Sequence, residues 1–197
     1  MKEAVEKLQK LLDFILVIRP DFLREQEEEK VKAITDHRSK FSKDRIKYLN
    51  KTEMREFLKL GKNRHWTLQR QGSNLCKNMQ QLRKTLEVLV DETIPIADRF
   101  TQAERMPYLG KAIITAILQV TFPYKYGVWN NTSEDALKSL GVFPSKNERD
   151  MGNRYCKINT VLLHLARKLR IDLWTLDTLL YYWQEMRKFW RKKGFSI

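Results

Sequence analysis

Between positions 110 and 121 the chain reads GKAIITAILQVT, and no other run restricts the fold as strongly. Ala112, Ile113, Ile114, Ala116, Ile117, Leu118 and Val120 put apolar side chains on nearly every side of a helix. A helix that is apolar all round must be covered by other elements, so this one is expected at the centre of a domain. Pro123 stops it. The covering elements must carry one apolar face each, and the rest of the chain supplies that pattern at helical spacing.

Val5, Leu8, Leu12 and Ile15 form one face of a first helix, ended at Arg19 by Pro20. Residues 22–40 read as a second, charge-rich helix with Phe22, Leu23, Val31 and Ile34 to bury. A basic helix or turn follows over 43–50. Thr52 reads as the N-cap of a helix over 53–60, with Gly61 at its C-terminal end. Residues 62–75 break the period and read as a loop or strand fragment. Helical spacing returns over 78–91 and from Pro95 through 105. Thr132, with Asp135 three residues on, reads as the cap of a helix that closes at Gly141. A polar loop over 144–150 leads to a long helix on Met151, Tyr155, Ile158, Leu162, Leu165 and Leu169. Asp172 caps the last helix, whose buried stripe is Leu173, Leu176, Leu180, Trp183, Met186 and Trp190. Only 7 Gly and 5 Pro in 197 residues leave little punctuation for a many-stranded sheet. The expectation is an all-α fold of about nine helices around the 110–121 helix. An N-terminal helical layer over 1–60 and a core over 61–197 form one compact domain.

Lys and Arg number 38 against 24 Asp and Glu, a formal net charge of +14. The excess is clustered. Residues 21–37 hold 3 basic and 6 acidic residues, whereas residues 38–70 hold 11 basic and 3 acidic. The tail adds Arg187, Lys188, Arg191, Lys192 and Lys193 with no acid among them. Clustered cations suit a polyanion, because neutralising phosphates releases condensed counterions. The plain alternative is a solvated, lysine-rich surface. No apolar run approaches the roughly 18 residues of a membrane helix, so no membrane partner is expected. The tail's aromatics alternate with cations, which also suits a membrane surface or a docking partner. Packing of Trp183 and Met186 with a solvated, phosphate-attracting end is preferred, and in a fragment the tail would be a linker.

Several chemistries lack their residues. His37, His65 and His164 are far apart and have no second ligand at metal spacing, so no metal or cofactor is expected. No phosphate-binding glycine loop or nucleophile elbow occurs. Cys76 and Cys156 support no disulfide framework, which fits a reduced, cytoplasmic protein. Cys156 reads as a half-buried thiol, since no His stands one turn away.

The segment RMPYLGKAIITAILQVTFPYKYGVWNN, 105–131, is the most informative. A turn ending in Gly110 feeds a helix whose first N–H groups point outward, and Lys111 adds a charge there. A phosphate held at that place would be bound without any base being read. Gly110 is expected to let the backbone approach closely and to permit a positive φ. The alternative is a plain helix start. The segment resembles the helix-hairpin-helix element, which holds DNA backbone through a glycine turn and an alanine-rich helix; of the usual two glycines only Gly110 is present. In base-excision glycosylases of that type a similar apolar turn ends in a catalytic Asp, and here Asn130 or Asn131 stands there. An amide cannot ionise. Glu134 and Asp135 read as first-turn acids explained by capping. This favours a binding domain over a glycosylase-like enzyme, which stays as one alternative.

The runs 125–141 and 153–183 are similar to helical modules of McrB-type modified-DNA restriction systems. The likeness covers about residues 62–183 and lies in an aromatic turn with Asn, a capped helix ending in Leu-Gly, and a late Asp–aliphatic–Trp helix. It implies a DNA-recognition module in a restriction or defence system, with a AAA+ GTPase or nuclease as partner. Basic and aromatic residues interleave at Arg64, His65, Trp66 and Arg70, and again at Tyr124 and Lys125. Such pairs hold backbone and stack on an extruded base, or simply bury their rings; for Trp129 burial is preferred. The candidate DNA-binding residues are therefore Gly110 and Lys111 at the turn, Arg64, His65, Trp66 and Arg70 along a groove, Tyr124 and Lys125, and Arg149, Arg154 and Lys157 along the long helix. A second alternative is a protein-interaction module that binds an acidic partner through residues 38–70.

Overall fold

A computed structural model describes residues 1–59, 71–144 and 150–193. Among them the fold is all-α, with ten α-helices and two 3-10 turns. The helices are α1 (Lys2–Ile18), α2 (Phe22–His37), α3 (Lys51–Leu58), α4 (Gly72–Leu75) and α5 (Met79–Val90), then α6 (Ile96–Glu104), α7 (Lys111–Thr121), α8 (Asn131–Ser139), α9 (Met151–Leu169) and α10 (Leu173–Lys192).

The apolar run forms the central helix as its composition requires. Every α7 residue from Ile113 to Thr121 is buried. α2, α5, α6 and the 3-10 turn Arg38–Phe41 pack on it. Its flank is completed by an aromatic stack: Phe100 of α6 lies 4.9 Å from Tyr155 of α9, and Tyr155 lies 6.4 Å from Trp129. α6 and α9 cross closely because Gly152 carries no side chain; a Cβ there would stand 1.9 Å from the Ala97 carbonyl oxygen. Gly141 at φ 69° closes α8, and Arg170 in the left-handed region closes α9.

Several local expectations are corrected. α2 buries Phe22, Gln26, Lys30, Ala33 and His37, while Leu23 and Val31 are exposed. Gln26 and Lys30 stand on its inner face because distant partners satisfy them. Lys30 Nζ meets Asp172 at 2.5 Å, and Thr178 of α10 donates to Gln26 at 2.6 Å. Burial alone would lower the Lys30 pKa, but hydrogen bonds to Asp172 and Glu27 hold it above its ordinary value. These contacts tie the N-terminal helices to the rest, as one helical domain. Asn50 replaces Thr52 as the cap of α3, in a reciprocal capping box with Glu53. Asn130 replaces Thr132 at α8, paired with Ser133. In both helices the cap lies two residues earlier than the first Thr of the segment, because an Asn carbonyl reaches the N3 amide equally well. Asp172 caps α10 as expected, accepting from Thr175 N. Trp190 leaves the buried stripe and is 37% exposed. Positions 60–70 and 145–149 lie outside the described residues. No described helix is long and apolar enough to cross a membrane.

Candidate nucleic-acid interface

The turn before α7 behaves differently from its expected form. Gly110 is the N-cap, with φ −81° and ψ 172°, an extended conformation open to any residue. No atom lies within 4 Å of a Cβ built there. The left-handed residue is Tyr108, at φ 68°. The positive φ of this turn is therefore carried by Tyr108 and not by Gly110, and the space beside the Gly110 Cα is open. Its carbonyl accepts from Ile113 and Ile114 at 3.0 and 3.1 Å, while the N–H groups of Lys111 and Ala112 have no acceptor within the helix. A cleft of about 500 Å³ opens at this end of α7, with Tyr108, Gly110, Lys111 and Asn131 among its walls.

Beside the cleft, three cations and one carboxylate gather on two rings. Trp129 is fully buried, and its backbone N–H donates to Thr115 Oγ1 at 2.9 Å. Lys111 Nζ stands 4.8 Å from the Trp129 ring centroid, and the Arg154 guanidinium carbon stands 5.6 Å from it. Arg154 is also 5.3 Å from the Phe143 ring, as is Lys138 Nζ. Glu134 accepts from Lys111, from Lys138 at 2.6 Å and from Trp129 Nε1 at 3.0 Å. Burial would raise the pKa of its carboxyl. The three donors outweigh that and bring it down from 4.5 to about 2. Glu134 is thus a fixed anion inside a net positive cluster, and capping does not explain it. That role belongs to Asn130, whose side chain accepts from Ser133 N at 2.8 Å.

The segment after α7 returns along it, held from beneath. Asn159 of α9 accepts from Gly127 N and donates to Lys125 O, both at 2.8 Å. Tyr155 donates to Gly127 O at 2.9 Å, and the buried Arg99 donates to Tyr126 OH at 2.7 Å and to Leu89 O at 2.9 Å. A fully braced loop of this kind presents fixed side chains. Those presented are Tyr124, which is exposed, and Lys125, which donates to Glu92 at 2.8 Å. α9 runs beside the segment, with Arg154 at its Trp129 end and Asn159 at its Lys125 end. It holds no acid among its 19 residues, and Lys157, His164, Arg167 and Lys168 lie on its exposed face.

Of the residues expected at an interface, Gly110, Lys111 and Arg154 therefore come together, with Lys157 one turn along α9. Tyr124 and Lys125 lie at the other end of α7, roughly 16 Å away for eleven residues at 1.5 Å each. Arg64, His65, Trp66, Arg70 and Arg149 lie outside the described residues. Lys138 and Phe143 were not anticipated, although the Glu134–Lys138 spacing of four residues was a readable signal. The described residues hold no group of three or more His, Cys, Asp and Glu fit for a metal. Cys156 is half-buried, and burial raises its pKa. Comparison with protein-family models, with curated proteins and with solved structures returns no match for this chain.

Proposed function

We propose that this chain is a DNA-binding module that grips the phosphate backbone, acting in a restriction or defence system beside a AAA+ GTPase or nuclease. One observation carries the proposal: Lys111 at the start of α7 and Arg154 in the acid-free helix α9, distant in sequence, converge on the Trp129 ring. Arg154 is oriented by two aromatic rings, so its charge is presented at low entropic cost. Lys111 shares Glu134 with Lys138, which leaves the cluster positive. The first-turn N–H groups of α7 add donors beside it. Phosphate contacts of this sort fix position and read no sequence.

The glycosylase-like alternative finds little support. Asn130 is spent on capping α8, and Glu134 is ionised at any working pH, so it cannot donate a proton. In the basic stretch of the acidic-partner alternative, Lys43, Arg45 and Lys59 are ion-paired within the chain, as Lys111 and Lys138 are at the cluster. Fluorescence anisotropy with labelled duplexes of unrelated sequence tests the proposal. Comparable binding of all duplexes at low salt is expected, with no base released from damaged or mismatched DNA. Absence of DNA binding at low salt would refute it, and release of a base would restore the enzyme reading.

A further inference from the structure

Four large apolar side chains stand in solvent where α1 ends beside α10. Phe14, Val17 and Ile18 are 59%, 78% and 59% exposed, and Phe189 is 56% exposed. The first three occupy one face of the last turn of α1, at spacings of three and four. The two helices meet at Tyr182. Arg19 donates to its hydroxyl at 2.6 Å, and Phe22 packs edge-on to its ring at 6.2 Å. Phe189 stands seven residues beyond Tyr182, two turns along the same side of α10. Around it the helix carries five cations from Arg187 to Lys193 and no acid.

Hydrated phosphate rewards charge and not aliphatic surface. Val17 and Ile18 have no π-face on which a base could stack. A ring set among cations, as Phe189 is, with apolar side chains on the neighbouring end of α1 instead matches a layered partner, with anionic groups above a hydrocarbon region; beside the α1 side chains the charges are mixed, Asp13, Asp21 and the Arg19–Glu25 pair. We infer that the end of α1 and the last turns of α10 form a docking face for an anionic phospholipid surface, separate from the Lys111–Arg154 cluster. The expectation of no membrane partner came from the lack of a spanning run, and docking on a surface requires none.

Sedimentation of the full chain with vesicles tests this directly. Vesicles of equimolar phosphatidylcholine and phosphatidylglycerol should carry the protein down, and phosphatidylcholine vesicles should not. The double variant Val17→Ser/Ile18→Ser and the separate variant Phe189→Ser keep every charge. Each should bind the anionic vesicles about tenfold more weakly or worse, while duplex DNA affinity stays at the wild-type level. All three positions are exposed, so both variants should melt with the wild type, and either one suffices if the other fails to fold. Wild-type binding to neither vesicle, or equal binding of both variants to the anionic ones, would overturn the inference. Loss of duplex DNA affinity in the variants would assign the face to nucleic acid and overturn it equally.

Discussion

Replacing Glu134 with glutamine should move stability and DNA affinity in opposite directions. The carboxyl titrates at about 2 in the fold against 4.5 in the absence of its partners. At about 1.4 kcal/mol for each tenfold step, that difference corresponds to about 3 kcal/mol of stability at neutral pH. The side chain is only 13% exposed, so solvent screening removes little of it. Glutamine can still accept from Trp129 Nε1, which makes about 2–3 kcal/mol the expected loss. For a chain of this length that is a fall of about 5–10 °C in Tm. The sign with pH follows from the lowered pKa. The contribution is complete above about 4.5, declines as pH falls and is gone below about 2. Thermal melts followed by circular dichroism should therefore show a gap between wild type and Glu134→Gln that is full at pH 7 and closes across the acid range. The same substitution frees Lys111 and Lys138. Duplex DNA should bind more tightly, with a salt slope steeper by about 0.9 for each phosphate gained. A Tm gap that persisted unchanged at pH 2, or a DNA affinity that fell with stability, would refute this reasoning.

Two glycines should respond in contrasting ways. Gly152→Ala forces a Cβ against the Ala97 carbonyl and should cost about 3 kcal/mol or more in urea unfolding, as overpacking at a close helix crossing does. Gly110→Val meets nothing within 4 Å of its Cβ in an allowed conformation, so stability should change by about 1 kcal/mol or less, while DNA affinity should fall because the branched side chain stands at the first-turn N–H groups of α7. Asp172→Ala should cost about 2–4 kcal/mol by the same urea assay, because it removes the N-cap of α10 and the buried one of the two carboxylates on Lys30, which would keep only Glu27.

Helix positions were legible because apolar spacing is a local property, and so was the burial of α7, whose composition admits no other place. Cap identity was less legible. Thr52 and Asn50, like Thr132 and Asn130, compete within two residues, and backbone direction decides between them. The inner face of α2 was hidden, because Lys30 and Gln26 are buried only by virtue of Asp172 and Thr178, some 142 and 152 residues away. Hydrophobicity alone assigns such a face to solvent. The interface was half legible for the same reason. The Gly110–Lys111 turn stood out as charge at a helix start and Arg154 as charge along the long helix, but their meeting on Trp129 depends on how α7 and α9 pack. Glu134 looked like a capping acid because nothing local announces Lys111, 23 residues back, as its partner.

The salt dependence of duplex binding by the triple variant Lys111→Ala/Arg154→Ala/Lys157→Ala tests the central claim most directly. A control triple variant, Lys2→Ala/Lys7→Ala/Lys10→Ala, removes the same charge from α1. If the α7–α9 face grips phosphate, the first variant should shallow the slope of log K against log salt by about 2 to 3. The control should leave that slope near the wild-type value. Equal slopes for the two variants would mean that net charge alone attracts DNA, and would contradict a defined interface around Trp129.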